Sequence, residues 1–99
     1  MDLGLDGRRA LVTGSTAGIG LATARALAAE RASVTVNGRT AQRVNQAVKQ
    51  LKDEVPGARV QGIAADLSDA AGCAELVQQL PLVDILVNNL GIFEPTPFE

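Results

Sequence analysis

Four short β-leaning runs alternate with three segments that repeat apolar residues at helical spacing, and this alternation leaves few folds open. The runs cover residues 9–13, 33–37, 59–64 and 83–88. The first helical segment, 18–31, is rich in alanine and brings Ile19, Ala22, Ala26 and Ala29 round on one helical face. The second, 40–55, sets Val44, Ala47, Val48, Leu51 and Val55 at i, i+3, i+4, i+7 and i+11, the stripe of an amphipathic helix. Pro56-Gly57 stops it. The turn Asp66-Leu67-Ser68-Asp69 leads to a third helix carrying Cys73, Leu76, Val77 and Leu80, ended by Pro81. The Ile85-Leu86-Val87 core of the fourth run lacks alternation, as in a strand covered on both faces. Strands separated by helices imply a parallel sheet with right-handed crossovers.

Composition supports a layered α/β core and narrows the chemistry. Phe93 and Phe98 are the sole aromatics while alanine is abundant, and small side chains let helices lie close on a sheet. Both phenylalanines sit in a two-proline tail that reads as loop; they fit a pocket border or plain loop packing equally well. Histidine is absent, which removes the commonest general base and metal ligand, so no metal site is expected. The single cysteine, Cys73, reads as a buried, inert thiol on the apolar face of its helix. Net charge is −2 and the nine Lys and Arg are scattered, which argues against a nucleic-acid or membrane surface. The N-terminus shows no signal-peptide pattern, and a cytoplasmic setting is expected.

The turn between the first run and the first helix carries the chemistry. It reads Thr13-Gly14-Ser15-Thr16-Ala17-Gly18-Ile19-Gly20. A helix start offers unpaired N–H groups and the positive end of the macrodipole, so a strand entering a helix through glycines makes an anion site. Gly14 would form the turn. Gly18 and Gly20 would let a pyrophosphate approach and let the helix pack close on the strand. Ser15, Thr16 and Ile19 complete the candidate contact set.

The spacing T-G-x-x-x-G-I-G resembles that of the short-chain dehydrogenase/reductase family. Three further stretches follow in family order: Asn37-Gly38-Arg39, Asp66-Leu67 and Asn88-Asn89-Leu90-Gly91. Together they extend the resemblance over nearly the whole chain. It implies a Rossmann-like, doubly wound α/β sheet, here incomplete, with strand order 3-2-1-4. Residues 1–99 are then the N-terminal part of a single NAD(P)-binding domain, and the catalytic part lies past Glu99. The family's tyrosine acid/base has no counterpart in this chain, which has no tyrosine, so no catalytic residue is named.

A carboxylate about twenty residues past the first glycines would select NAD by accepting from the ribose hydroxyls. Asn37-Gly38-Arg39-Thr40 holds no acid, and Arg39 offers a planar, permanently charged fork suited to a 2′-phosphate. NADP(H) is therefore favoured over NAD(H), with a solvated surface arginine as the alternative. The resemblance implies that Asp66 binds the adenine amino group beside Leu67; capping of the third helix by Asp66 or Ser68 is the competing role. It implies that Asn88 braces backbone while Asn89, Leu90 and Gly91 run beside the cofactor. Leu90 replaces the usual alanine.

The expected function is that of an NADP(H)-dependent oxidoreductase on a carbonyl or alcohol substrate, of which 3-oxoacyl-thioester reduction is one compatible case. A non-catalytic dinucleotide-binding or sensing module is the alternative. An extended-type nucleotide-sugar epimerase is disfavoured, since that branch uses T-G-x-x-G-x-x-G. The fourth strand would leave an open sheet edge and exposed apolar side chains, so self-association into a homo-oligomer is expected.

Overall fold

The computed structural model describes residues 6–66, 70–79 and 83–87. They form β1 (Arg9–Val12), α1 (Gly18–Ala29), β2 (Ser33–Gly38), α2 (Ala41–Glu54), β3 (Arg59–Ala64), α3 (Ala70–Gln79) and β4 (Ile85–Val87). All strand pairs are parallel and the sheet order is β3-β2-β1-β4, which bears out the order 3-2-1-4. The fourth strand is shorter than the 83–88 run. Among the described residues no helix is long and apolar enough to cross a membrane.

Register and strand alternation sort the sheet into two faces. One face carries Ala10, Val34, Val60 and Ile85 in one row and Val12, Val36, Gly62 and Val87 in the next. It packs on α1 and α2, and Val12, Val34, Val36 and Leu51 are fully buried there. Each such side chain contributes about 1.5–3 kcal/mol through burial. A Cβ on Gly62 would collide with Val44, so this glycine lets α2 lie directly on β3. On the opposite face Leu11, Ile63 and Ala65 form a smaller cluster with Leu76 of α3. Leu86, paired with Leu11 on that face, is 64% exposed, so the fourth strand is not covered on both sides among the described residues.

The second helix follows its pattern: Val44, Ala47 and Leu51 are buried, with Val48 and Val55 half-buried beside them. The first helix departs from its pattern. Ile19, Ala22, Ala26 and Ala29 face solvent, and Gly20, Ala24 and Ala28 are the buried stripe, flanked by Leu21 and Leu27. In this alanine-rich helix, close approach to the sheet selects the smallest stripe rather than the most apolar one. Cys73 and Val77 side chains, the phenylalanines, and Leu67, Ser68 and Leu80 lie outside the described residues.

Candidate functional site

The C-terminal ends of β1, β2 and β3 meet at one edge of the sheet, where the crossovers to the helices begin. Gly14 and Gly18 both take positive φ, +57° and +61°. Apart from its chain neighbours and its own helix backbone, no atom of the described residues lies within 4 Å of where a Cβ on Gly18 would stand. Backbone conformation and open space thus agree on glycine here. Ala17 is the N-cap of α1, and it supplies no side-chain cap; the first turn holds no acidic residue. The helix start therefore keeps its positive end unneutralised by its own side chains. Ile19 stands 78% exposed in that first turn.

Behind this lip the turn is tied down. Ser15 is fully buried; its Oγ donates to Val12 O at 2.6 Å and accepts from the Asn37 N–H at 2.9 Å. The Ser15 N–H donates to Asn37 O at 2.8 Å. The Asn37 side chain accepts from the Gly14 N–H at 3.2 Å and donates to the carbonyls of Ile63 and Ala65 at 3.2 and 3.3 Å. Among the candidate contacts, the Ser15 and Asn37 side chains are thus the ones that tie down the turn. The signal for this in the sequence was the one amide of the run Ser33-Val34-Thr35-Val36-Asn37, with nothing to name its partners. Thr13 adds a tie to the neighbouring strand, its N–H donating to Val87 O at 3.0 Å.

Thr16 is half-buried and packs across Gly38: a Cβ there would come 2.5 Å from Thr16 Cγ2 and 3.2 Å from Val44 Cγ2. Gly38 thereby brings the turn, the end of β2 and α2 into contact. Arg39 follows, exposed and without a hydrogen bond or ion pair to any described residue. Thr40 caps α2 by accepting from the Arg43 N–H at 3.3 Å. Asp66 is half-buried just past Ala65, whose N–H donates to Gly38 O at 2.9 Å. Leu67, Asn89, Leu90 and Gly91 lie outside the described residues.

The edge thus gathers Gly14, Thr16, Gly18, Ile19, Arg39, Thr40 and Asp66 at the carboxyl ends of parallel strands, the usual ligand position in open α/β sheets. A cleft of about 330 Å³ between Arg9, Ser33, Thr35 and Arg59 lies towards the opposite ends of the strands.

Comparison with known proteins gives this arrangement its family. Residues 8–99 match the family model described as short chain dehydrogenase. The chain belongs to the short-chain dehydrogenases. The uncharacterized oxidoreductase YvaG of Bacillus subtilis (strain 168) is 53% identical over 98 residues, covering 99% of this chain and 37% of that protein. The structure of L-sorbose reductase from Gluconobacter frateurii, complexed with NADPH and L-sorbose, superimposes with a TM-score of 0.85 at 37% identity. That match covers 95% of this chain and 37% of the reductase. The Pseudomonas aeruginosa RhlG/NADP active-site complex matches with a TM-score of 0.81 at 40% identity, covering 88% of this chain and 36% of RhlG. The chain spans little more than a third of the length of the curated relative and solved structures cited here.

Proposed function

We propose that this chain is the cofactor-binding part of an NADP(H)-dependent short-chain oxidoreductase, which moves hydride between a nicotinamide and a small carbonyl or alcohol substrate. The observation that carries the proposal is the pairing of an uncapped α1 start, opened by Gly18, with an exposed Arg39 where an NAD-selecting acid would stand. The similarity to L-sorbose reductase with NADPH and to RhlG with NADP supports the same cofactor. Reduction of a 3-oxoacyl thioester is one case within this class.

The residues present suit a dinucleotide. The amides of the α1 start, reached past Gly18, would receive the pyrophosphate, with Thr16 and Ile19 bordering it. Arg39 would pair with the 2′-phosphate through its planar fork, and Thr40 holds the α2 start beside it. Asp66 and Leu67 would border the adenine, and Asn89, Leu90 and Gly91 would run beside the cofactor. The bound nicotinamide supplies the hydride donor or acceptor; the share of this chain is to bind and orient it. A cytoplasmic, homo-oligomeric protein is part of the reading.

Arg39→Ala in the full chain tests it. NADP⁺ affinity is expected to fall roughly tenfold or more, the scale of a lost charged contact, while NAD⁺ affinity changes little. Equal losses for the two nucleotides would refute the NADP(H) assignment.

A further inference from the structure

Asn37 lies at the buried end of β2, on the strand face that it shares with Ser33 and Thr35. It is 1% exposed, lies between Val36 and Gly38, and carries an amide that is costly to bury unless fully bonded. A branched aliphatic side chain buried there would need no partners. Instead Oδ1 accepts from Gly14 N–H, Nδ2 donates to Ile63 O and Ala65 O, and the backbone of the same residue holds Ser15 through both its N–H and its carbonyl. Among the described residues no buried side-chain polar atom lacks a partner. One amide therefore joins three chain segments: the glycine turn, the end of β2 and the end of β3. Each segment carries a separate part of the candidate nucleotide site. Gly18 and the α1 start follow the first, Arg39 lies two residues past Asn37, and Asp66 follows Ala65.

We propose that Asn37 is a positioning residue of the nucleotide site, locking the glycine turn to the ends of β2 and β3 so that one dinucleotide meets the α1 amides and Arg39 together. The inference rests on the NADP(H) reading above and extends it from contacts to their mutual placement. Recognition of two phosphate groups by one rigid frame depends on that placement, because a small misalignment weakens every bond the frame makes at once. Its consequence is coupling: with the frame loosened, Arg39 no longer adds its full share.

The test titrates NAD⁺ and NADP⁺ against the full chain carrying Asn37→Ala, Arg39→Ala, both together, or Thr35→Ala, with Tm recorded for each. Thr35 is a structural control. It is 5% exposed on the same strand and accepts from Gln61 Nε2 at 2.9 Å, so its loss loosens β2 against β3 away from the turn. Asn37→Ala is expected to weaken both nucleotides by roughly tenfold, the size of one or two lost hydrogen bonds. In that background the penalty of Arg39→Ala on NADP⁺ shrinks. Thr35→Ala lowers Tm and leaves both Kd values unchanged. A fall in Tm in Asn37→Ala with native Kd values for both nucleotides overturns the proposal. If Arg39→Ala treats the two nucleotides alike in the otherwise native chain, the NADP(H) reading falls, while weakened NAD⁺ binding in Asn37→Ala still upholds the positioning role. Should Asn37→Ala not accumulate folded, Ser15→Ala removes two ties of the same frame. Weakening of both nucleotides there supports the proposal, and native affinities overturn it.

Discussion

The two helices on the inner face of the sheet begin differently. At α2, Thr40 closes the first turn with its own hydroxyl, and the apolar stripe below it reaches the fully buried Leu51. At α1, Ala17 offers no cap, Gly18 holds a positive φ beside open space, and Ile19 projects into solvent. The second helix closes one first-turn amide with its own side chain, whereas the first has no such cap. On the proposed reading, a stabilising cap and a nucleotide site occupy neighbouring helix starts.

The sharpest way to break the comparison is through the two aliphatic side chains. Leu51→Ala is expected to cost about 2–5 kcal/mol in denaturant unfolding, as cavity-forming substitutions do. Ile19→Ala, at an exposed position, should stay within about 0.5 kcal/mol of native. A large loss for Ile19→Ala would mean that α1 carries more of the core than its exposure allows.

Glycines come next. Gly18 and Gly57 share a positive φ, +61° and +80°, and among the described residues the space a Cβ would take is open at both, with nothing beyond adjoining backbone within 4 Å. Alanine at either should therefore cost about 1–2 kcal/mol of backbone strain. Only Gly18→Ala is expected to weaken NADP⁺ as well, since Gly57 lies in the turn after α2. Equal affinities in the two variants would remove the α1 start from the site.

Caps give a smaller and more pointed effect. Thr40→Ala should lose about 1 kcal/mol. Ala17 already has the extended backbone of an N-cap, so Ala17→Asp should gain a fraction of that while weakening NADP⁺ by placing a carboxylate where phosphate is expected. A variant that is stabilised and binds as before would show that the open helix start has no ligand.

The smallest effect lies where the two helices touch. Glu54 of α2 accepts from Arg25 Nε of α1 at 2.7 Å and from Gln50 at 3.2 Å, and these bonds, Arg25 first, lower its carboxyl below the ordinary value of 4.5. A depressed native pKa stabilises above the unfolded value, and the gain fades as pH falls through the native one. The Tm difference between native protein and Glu54→Gln is therefore expected to be small and positive at neutral pH, shrinking on acidification and in high salt. A difference that grows on acidification would reverse the assignment.

Much of this was legible in the chain because the signals were local. The stripe from Val44 to Val55 named the buried face of α2, and Gly14, Gly18 and the acid-free Asn37-Gly38-Arg39 stretch marked the sheet edge. The inward face of α1 was not legible, since glycines and alanines fall on more than one side of the helix and periodicity cannot choose among them. Nor was the role of Ser15: a polar residue in a glycine turn reads as a ligand contact until its bonds to Val12 and Asn37 are seen.

By itself the amino-acid order determined the alternation of strands and helices, the parallel sheet, and the positions that must lack a side chain, because these follow from residue spacing and backbone sterics. Which stripe of α1 lies on the sheet, and which polar groups are spent holding the turn, was decided only in three dimensions. Those outcomes depend on Asn37 meeting carbonyls 26 and 28 residues further along the chain. Contacts at that separation leave no periodic trace, since chain folding alone brings the partners together.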